Sequence, residues 1–226
     1  VSLATLSAKP ETNRFRLKVN PEQDWGWPQH LIYGVHLRVY YDAEKKDPVR
    51  GTMTGVKSDT ALGPELKLAV DIAERKRRID RVDYLGHYEG VNWEGDGRYR
   101  QWHYFYYHGQ LTHHLGSSVT APFRVLWDTS WVPNQSEPMQ LAARIVDDTG
   151  LVYFTPPITG LRLERPGLKV EFCKPTNVPD NWVTRTDPYE QTVTIQGDLS
   201  KAKAARLVWS SWSPGYMNGL FVNGTK

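Results

Sequence analysis

The sequence predicts an all-β fold, and three observations support that prediction. Short runs that alternate between apolar and polar residues recur along the 226-residue chain, and this is the period of a β-strand with one buried face. Glycine, proline, asparagine and aspartate separate the runs, as they separate strands in sandwiches and barrels. Helical periodicity is nearly absent. The one helical turn that we predict, at 198–205, takes Asp198 or Ser200 as its N-cap.

The first half of the chain supplies predicted strands at "RFRLKV" (14–19) and "YGVHLRVYY" (33–41), then at 66–72, 79–85 and 123–128. β-Branched and aromatic residues are frequent in these runs, and such residues favour strands. The second half continues with runs that end at turn-forming residues. Its predicted strands are 139–147, 151–155, 158–164, 168–172, 191–197, 205–212 and 219–224.

Two polar stretches divide these strands into three segments. "DAEKKDP" (42–48) ends in a proline, and "ERPG" (164–167) separates one strand-like run from the next. We therefore expect an N-terminal β segment at 1–47, a β-sandwich at 48–165 and a C-terminal β segment at 166–226. The flanking segments either pair with each other in a second small β unit or form two appended units, and the sequence leaves both arrangements open.

Charge and hydropathy argue against two classes of partner. The formal net charge is +3, and basic and acidic residues are interspersed except in "ERKRR" at 74–78. That run falls between two predicted strands, where we expect a solvated hairpin turn rather than a nucleic-acid site. No apolar run approaches the ~18 residues that a membrane span needs. We expect neither nucleic acid nor a membrane-spanning segment.

The segment at 117–156 runs in order through Thr-Ala-Pro, Trp-Asp-Thr and Val-Pro, then an alanine-rich strand and an Asp-x-x-Gly turn. In this order it resembles the late strands of bacterial Ig-like domains, and "IDRVDYLGHYEG" (79–90) resembles the strand that precedes them. The resemblance implies an Ig-like β-sandwich of the kind found in secreted polysaccharide-handling or cell-surface proteins, and hence a secreted or cell-surface location. A weaker resemblance links 205–225 to the closing strands of jelly-roll carbohydrate-binding or carbohydrate-active domains. The matching residues of the Ig-like pattern are Thr120, Ala121, Pro122, Trp127, Asp128, Thr129, Val132, Pro133, Ala142, Ala143, Asp147 and Gly150.

The chain departs from the Ig-like pattern at one point. Ordinary members have a short hairpin where this chain carries roughly thirty residues, at 86–118. Long insertions in a compact sandwich are more often functional than average loops. We therefore search this insertion for functional residues.

Acidic and amide side chains open the insertion in an alternating order. Asn92, Glu94 and Asp96 are followed by Gly97, as oxygen ligands and a glycine open a calcium-binding loop. His103 stands where such a loop normally has a bidentate glutamate. A calcium ion held by Asn92, Glu94 and Asp96 and an ordinary acidic turn both remain open.

Histidines suggest a different metal. If 102–108 forms one strand, His103 and Phe105 share a face of it. A hairpin turn at 108–110 then brings His113 opposite Phe105 and diagonal to His103. Imidazoles that meet in this way suit a transition metal, whereas solvent-facing or hydrogen-bonded histidines need none.

Catalysis on a sugar acid is another hypothesis. Polysaccharide lyases need a general base and acid, and a cation that stabilises the developing enolate-like carboxylate. His103, Tyr104 and Tyr106 are the candidate acids and bases, and Arg98 and Arg100 are the candidate cations. The same residue types also build a non-catalytic sugar platform.

Hydrolysis of a glycosidic bond has a different requirement, namely two carboxylates about 5–10 Å apart. Glu89, Glu94 and Asp96 are the acidic candidates in the insertion. The sequence does not establish that any two of them form a pair.

Binding without catalysis needs the fewest assumptions. Exposed aromatic faces stack on pyranose rings, while polar side chains satisfy the hydroxyl groups. We therefore predict recognition of an extracellular polysaccharide, with a lyase-type enzyme and a structural surface or adhesion protein as alternatives. The predicted substrate-binding residues are Trp93, Trp102, Tyr107, His108, Trp25 and Trp27.

Overall fold

The structure is a computed structural model that describes the chain in separate stretches. Within 100–112 it describes the backbone of short strands. The described residues are 2–7, 9, 13–16, 39, 49–73, 77–90, 100–102, 105–107, 110–112, 114–176, 190–208 and 219–226.

The described residues form β-strands and two short 3-10 turns, which confirms the all-β fold class. The turns are Leu3–Thr5 and Leu199–Lys201, and Asp198 caps the second by accepting a hydrogen bond from the Ser200 amide at 3.0 Å. Across the described stretches, no helix is long and apolar enough to cross a membrane. The strands are β1 (Gly51–Thr54), β2 (Ala61–Leu62), β3 (Glu65–Ile72), β4 (Ile79–Glu89), β5 (Arg100–Trp102), β6 (Phe105–Tyr107), β7 (Gln110–Thr112), β8 (Gly116–Ser118), β9 (Val125–Asp128), β10 (Met139–Asp147), β11 (Val152–Phe154) and β12 (Ile158–Leu163).

The strands form two large sheets and one separate hairpin. The three-stranded sheet has the order β1-β3-β9, and all of its pairs are antiparallel. The seven-stranded sheet has the order β2-β12-β10-β4-β5, with β11 beside β10 and β8 beside β4. The hairpin consists of β6 and β7. β10 and β4 form the centre of the larger sheet, with Ala143 opposite Tyr84.

Apolar side chains from both sheets pack into one core, and the two sheets therefore form a β-sandwich. Alternate residues point inward, as the strand period requires. From the smaller sheet, Leu68 and Trp127 are buried, and from the larger sheet Tyr84, Leu141 and Ile145 are buried. The Tyr84 hydroxyl donates a hydrogen bond to the Phe123 carbonyl within this core.

The outer face of the larger sheet carries a buried ionic cluster centred on Asp83. The Asp83 side chain has no exposed surface, and its Oδ2 lies 2.7 Å from Arg144 Nη1 on the neighbouring strand β10. Arg81 Nε lies 2.9 Å from Asp83 Oδ1. The Ser117 hydroxyl of β8 donates to the same oxygen, and His114 Nε2 lies 2.7 Å from the Ser117 hydroxyl. Asp83 thus links β10 and β4 to β8, the strand on which the insertion returns to the sheet.

The C-terminal strand predictions fail in the part of the chain that the structure describes. Residues 168–172 are irregular, and 191–197 contribute only an isolated bridge between Val193 and Pro175. The described parts of 205–212 and 219–224 form no strand beyond one bridge between Val222 and Thr225. Alternation is present in these runs, but the described residues give them no sheet to join.

The described residues do not confirm the strands predicted at 14–19 and 33–41. Residues 14–16 are described and lie outside any strand, whereas 33–41 falls outside the described residues except for Val39.

The hairpin turn predicted at 74–78 is wrong, because β3 and β4 belong to different sheets. The connection between them crosses from one layer of the sandwich to the other. The boundaries near 48 and 165 remain predictions.

Candidate functional site

Most of the residues that we predicted as a site lie outside the described residues, and that part of the prediction stays untested. Arg100 and Trp102 lie in β5, and Tyr106 and Tyr107 lie in β6, where the backbone fixes their place in a ladder. The predicted residues outside the description are Trp25, Trp27, Asn92, Trp93, Glu94, Asp96, Arg98, His103, Tyr104 and His108.

The described residues do not give the single strand at 102–108 on which the histidine hypothesis depends. Trp102 ends β5, which pairs with β4 of the large sheet, whereas Tyr106 lies in β6, whose partner among the described strands is β7. Trp102 and Tyr106 therefore belong to different sheets.

The register predicted for the histidine hairpin is also wrong, by one residue. Phe105 pairs with Thr112, and Tyr107 pairs with Gln110, so two residues separate the paired positions at the turn. The prediction required Phe105 to face His113. Because a shift of one residue moves side chains to the other face, the ladder gives no support to a meeting of His103 and His113. Both histidines lie outside the described residues.

Metal binding is therefore left without support from the described residues. They contain no group of three or more His, Cys, Asp or Glu side chains that could hold a metal ion. The proposed calcium ligands Asn92, Glu94 and Asp96 fall outside that description. The calcium hypothesis stays a prediction.

A surface cleft lies where β4 leads into the insertion. Its volume is about 240 Å³, and three parts of the chain line it. These are Glu89 at the end of β4, residues from 133–136 before β10, and residues from 169–174 after β12. We call it the Glu89 cleft. The register of the large sheet places Glu89 opposite Arg100, the first residue of β5.

The buried guanidinium of Arg165 fixes one wall of the Glu89 cleft. Arg165 donates to the carbonyls of Thr129 and Val132, and to Asn134 Oδ1 at 2.7 Å. Burial lowers the pKa of Arg165, and these oxygens replace part of the hydration that the group loses. Asn134 also exchanges backbone and side-chain hydrogen bonds with Val170, at 3.0 Å each. The loop at 129–136 is thereby tied to the segment that forms the opposite wall.

Gln135 and Lys174 fix the position of Glu89. The Gln135 side chain accepts from the Glu89 amide at 2.7 Å and donates to the Glu89 carbonyl at 2.8 Å. Lys174 Nζ forms an ion pair with Glu89 Oε1 and lies 5.7 Å from the centre of the Phe172 ring. The base of the cleft thus holds a carboxylate, an ammonium group and an aromatic ring close to each other.

Glu171 is the second carboxylate of the cleft, and its side chain also has hydrogen-bond partners. Its Oε1 accepts from the Gln196 amide at 2.9 Å and contacts the Cys173 thiol at 3.6 Å. Burial raises the pKa of the Cys173 thiol, and the hydrogen bond to Glu171 raises it further. Since the thiolate is the reactive form, Cys173 is a poor nucleophile at neutral pH.

Local patterns in the sequence contain only part of the signal for this cleft. Glu89 stood out as an acidic residue near the insertion, but Phe172 and Lys174 lie more than eighty positions away in the chain, beyond the reach of any spacing rule. The run "LKVEF" (168–172), which contains Phe172, alternates like a strand and is predicted as one, and Lys174 follows two positions later. The mixture of amines, carboxylates and one aromatic ring at 169–174 is the sequence signal for a surface site that we missed.

Comparisons with known proteins give distant likenesses. No protein-family model matches the chain, and a search of curated proteins also finds no match. Fibronectin(III)-like modules of Clostridium thermocellum CbhA match with a TM-score of 0.32 and 11% identity, over 51% of this chain and 94% of that chain. A polysaccharide deacetylase from Bacillus cereus matches with a TM-score of 0.28 and 11% identity, over 56% of this chain and 31% of that chain. At this distance neither likeness identifies an activity.

Proposed function

We propose that this chain is a binding module for an extracellular polysaccharide, with the ligand lying across the Glu89 cleft and onto the insertion. The observation that carries the proposal is that Glu89 both lines the cleft and pairs with Arg100, the first residue of β5. A ligand in the cleft therefore lies beside the root of the aromatic-rich insertion. A bacterial Ig-like domain of a secreted or surface protein is the setting that we propose for it.

The chemistry of the Glu89 cleft suits a polyhydroxylated ligand. Its lining combines the Ser136 hydroxyl, two carboxylates, two ammonium groups and the half-buried Phe172 ring. Such side chains donate hydrogen bonds to hydroxyl groups and accept hydrogen bonds from them. An aromatic ring supplies an apolar contact for the C–H face of a sugar.

The size and charge of the cleft further restrict the class of ligand that it suits. A volume of about 240 Å³ lies below the roughly 300–1,000 Å³ of pockets that enclose small molecules, so the cleft suits a short stretch of a longer polymer. Its two carboxylates, Glu89 and Glu171, balance its two amines, Lys169 and Lys174. Carboxylates repel uronates, and this balance favours a neutral polysaccharide over the acidic substrate that the lyase hypothesis requires.

Affinity electrophoresis of the whole chain tests the proposal. Xyloglucan and galactomannan serve as neutral polymers, and alginate and polygalacturonate as acidic ones. We expect a neutral polymer to retard the wild type, and Phe172→Ala to weaken that retardation about tenfold, which corresponds to roughly 1.4 kcal/mol. Lys174→Ala should also weaken it, because it releases the Glu89 side chain.

Lys67→Ala is the matched control, because Lys67 is an exposed lysine on β3 of the opposite sheet. It should bind like the wild type. The proposal is wrong if no polymer retards either the folded wild type or the folded Arg206→Ala variant, which lacks the guanidinium that stacks on Trp131. It is also wrong if Phe172→Ala binds as tightly as Lys67→Ala. Release of unsaturated, ultraviolet-absorbing products from alginate or polygalacturonate would favour the lyase hypothesis instead.

A further inference from the structure

Trp131 is a tryptophan with an exposed side chain on the loop that forms one wall of the Glu89 cleft. Its relative exposure is 38%, although tryptophan is usually highly buried. Two residues separate Trp131 from Asn134, which lines the cleft. Since a chain extends at most ~3.3–3.6 Å per residue, the Trp131 backbone lies within roughly 11 Å of the Asn134 backbone.

The loop holds Trp131 between two fixed residues. Thr129 precedes it by two positions, and its amide donates to the Pro64 carbonyl at 2.9 Å while its hydroxyl donates to the Gly63 carbonyl at 2.8 Å. Val132 follows it directly, is buried, and accepts from Arg165 at 2.8 Å. An aromatic side chain on such a fixed backbone is a preorganised binding surface, because little conformational entropy remains to be lost when a ligand binds.

Arg206 covers one face of the Trp131 ring. The centre of its guanidinium lies 4.1 Å from the ring centroid, which is stacking distance. Asp128, at the start of the same loop, attracts Arg206 electrostatically. The segment that carries Arg206 is exposed throughout 202–208, so this contact forms on the surface, where a ligand can compete with it.

We propose that Trp131 is a second subsite of the polysaccharide-binding site, for an uncharged pyranose ring, and that Arg206 covers it until the ligand displaces it. This inference rests on the proposed function. The plane of a guanidinium and the C–H face of a pyranose ring both pack against an indole face, and only one of them fits on a given face at a time.

Binding constants of three variants for the neutral polymer that retards the wild type test the inference. Arg206→Ala should bind about two- to fivefold more tightly, which is the range expected from removing one exposed stacked cation. Trp131→Ala should bind about tenfold more weakly. Lys203→Ala is the matched control, because it removes the same charge from the same exposed segment, and it should bind like the wild type.

A second measurement reports on the cover without any ligand. Acrylamide quenching of tryptophan fluorescence should increase in Arg206→Ala, and this increase should disappear when Trp131→Phe is added. Thermal unfolding checks that each variant is folded, and Trp131→Phe, which keeps a ring, should retain more affinity than Trp131→Ala.

The outcomes separate this inference from the function on which it rests. If the wild type binds a neutral polymer and both Arg206→Ala and Trp131→Ala bind like Lys203→Ala, the subsite is wrong and the Glu89 cleft stands. If Arg206→Ala binds a polymer that the wild type does not, both proposals are supported. If neither protein binds any polymer, both fail.

Discussion

Asp83 is a carboxylate without exposed side-chain surface, placed between Arg81 and Arg144. We expect Asp83→Asn to lower the free energy of unfolding by about 3–5 kcal/mol, because it leaves the buried guanidinium of Arg144 without this carboxylate. Chemical denaturation monitored by circular dichroism measures the change.

Asp80→Asn is the control for this residue. Asp80 lies on the same strand and forms an ion pair with Arg78 at 2.9 Å, but both side chains are substantially exposed, by 42% and 73%. Exposed pairs contribute about 0–1 kcal/mol, so this variant should unfold nearly like the wild type. Equal losses in the two variants would show that burial of the Asp83 cluster is not what stabilises it.

Tyr88 gives a prediction for pH. Burial raises its pKa from 10.0 to about 12, and its ring lies 5.9 Å from that of Trp127 in the core. Below pH 10 both folded and unfolded chains keep the proton, and the contribution to stability is complete. Between pH 10 and 12 only the unfolded chain loses the proton, so stability falls by at most about 1.4 kcal/mol per pH unit.

The Tyr88→Phe variant should therefore show a shallower loss of stability between pH 10 and 12, measured by urea unfolding at a series of pH values. The loss should not vanish, because burial also raises the pKa of Tyr84. An unchanged slope in the variant would mean that Tyr88 ionises equally in both states.

At the scale of elements, Gly51 of β1 packs closely against Ile145 of the opposite sheet. A Cβ added there would lie 2.7 Å from Ile145 Cδ1 on β10 and 2.8 Å from Val70 Cγ1. We expect Gly51→Ala to destabilise the sandwich by about 1–3 kcal/mol through overpacking. Gly63→Ala is the control, since a Cβ at Gly63 meets nothing within 4 Å. Gly51→Ala should therefore melt at a lower temperature than Gly63→Ala. Equal melting temperatures would mean that the side chains of Ile145 and Val70 move aside without loss of stability.

Alternation in the sequence predicted those strands that have a sheet to join. Residues 66–72, 79–85, 139–147 and 158–164 were predicted within a few residues of β3, β4, β10 and β12. The run at 191–197 alternates equally well, yet Val193 and Ile195 are 42% and 49% exposed. A pattern shows that a run can form a strand, whereas pairing depends on a second strand elsewhere in the chain.

At the scale of the whole molecule, three separate stretches of the chain line the Glu89 cleft, and Glu89 alone among their residues was predicted as a functional residue from the sequence. The insertion predicted at 86–118 contains Glu89, which lines the cleft and pairs with Arg100 in the sheet, and a ligand-binding role for the rest of the insertion stays a prediction. Phe172 and Arg206 come from runs that local alternation assigned to strands, at 168–172 and 205–212, and Lys174 lies just beyond the first of these runs. Sites assembled from distant segments depend on tertiary contacts such as Arg165 with Asn134, and no local period encodes those contacts.

The described sandwich is contained in a limited part of the chain, and this predicts how a fragment will behave. Its strands run from Gly51 to Leu163, and its buried core residues lie between Val49 and Leu161. The lining of the Glu89 cleft ends at Lys174. A fragment of residues 48–176 should therefore unfold cooperatively and bind the same neutral polymer as the whole chain, with the affinity of Arg206→Ala because it lacks that cover.

Calorimetry and affinity electrophoresis of this fragment, beside a shorter one that ends at 165, check the prediction. The shorter fragment keeps Arg165 and every described strand, so it should still melt cooperatively. It lacks Val170, Phe172 and Lys174, so it should melt at a lower temperature and lose the polymer. A broad melt for 48–176 would show that the core needs residues beyond those that form the sandwich. Binding by the shorter fragment would place the ligand away from the Glu89 cleft.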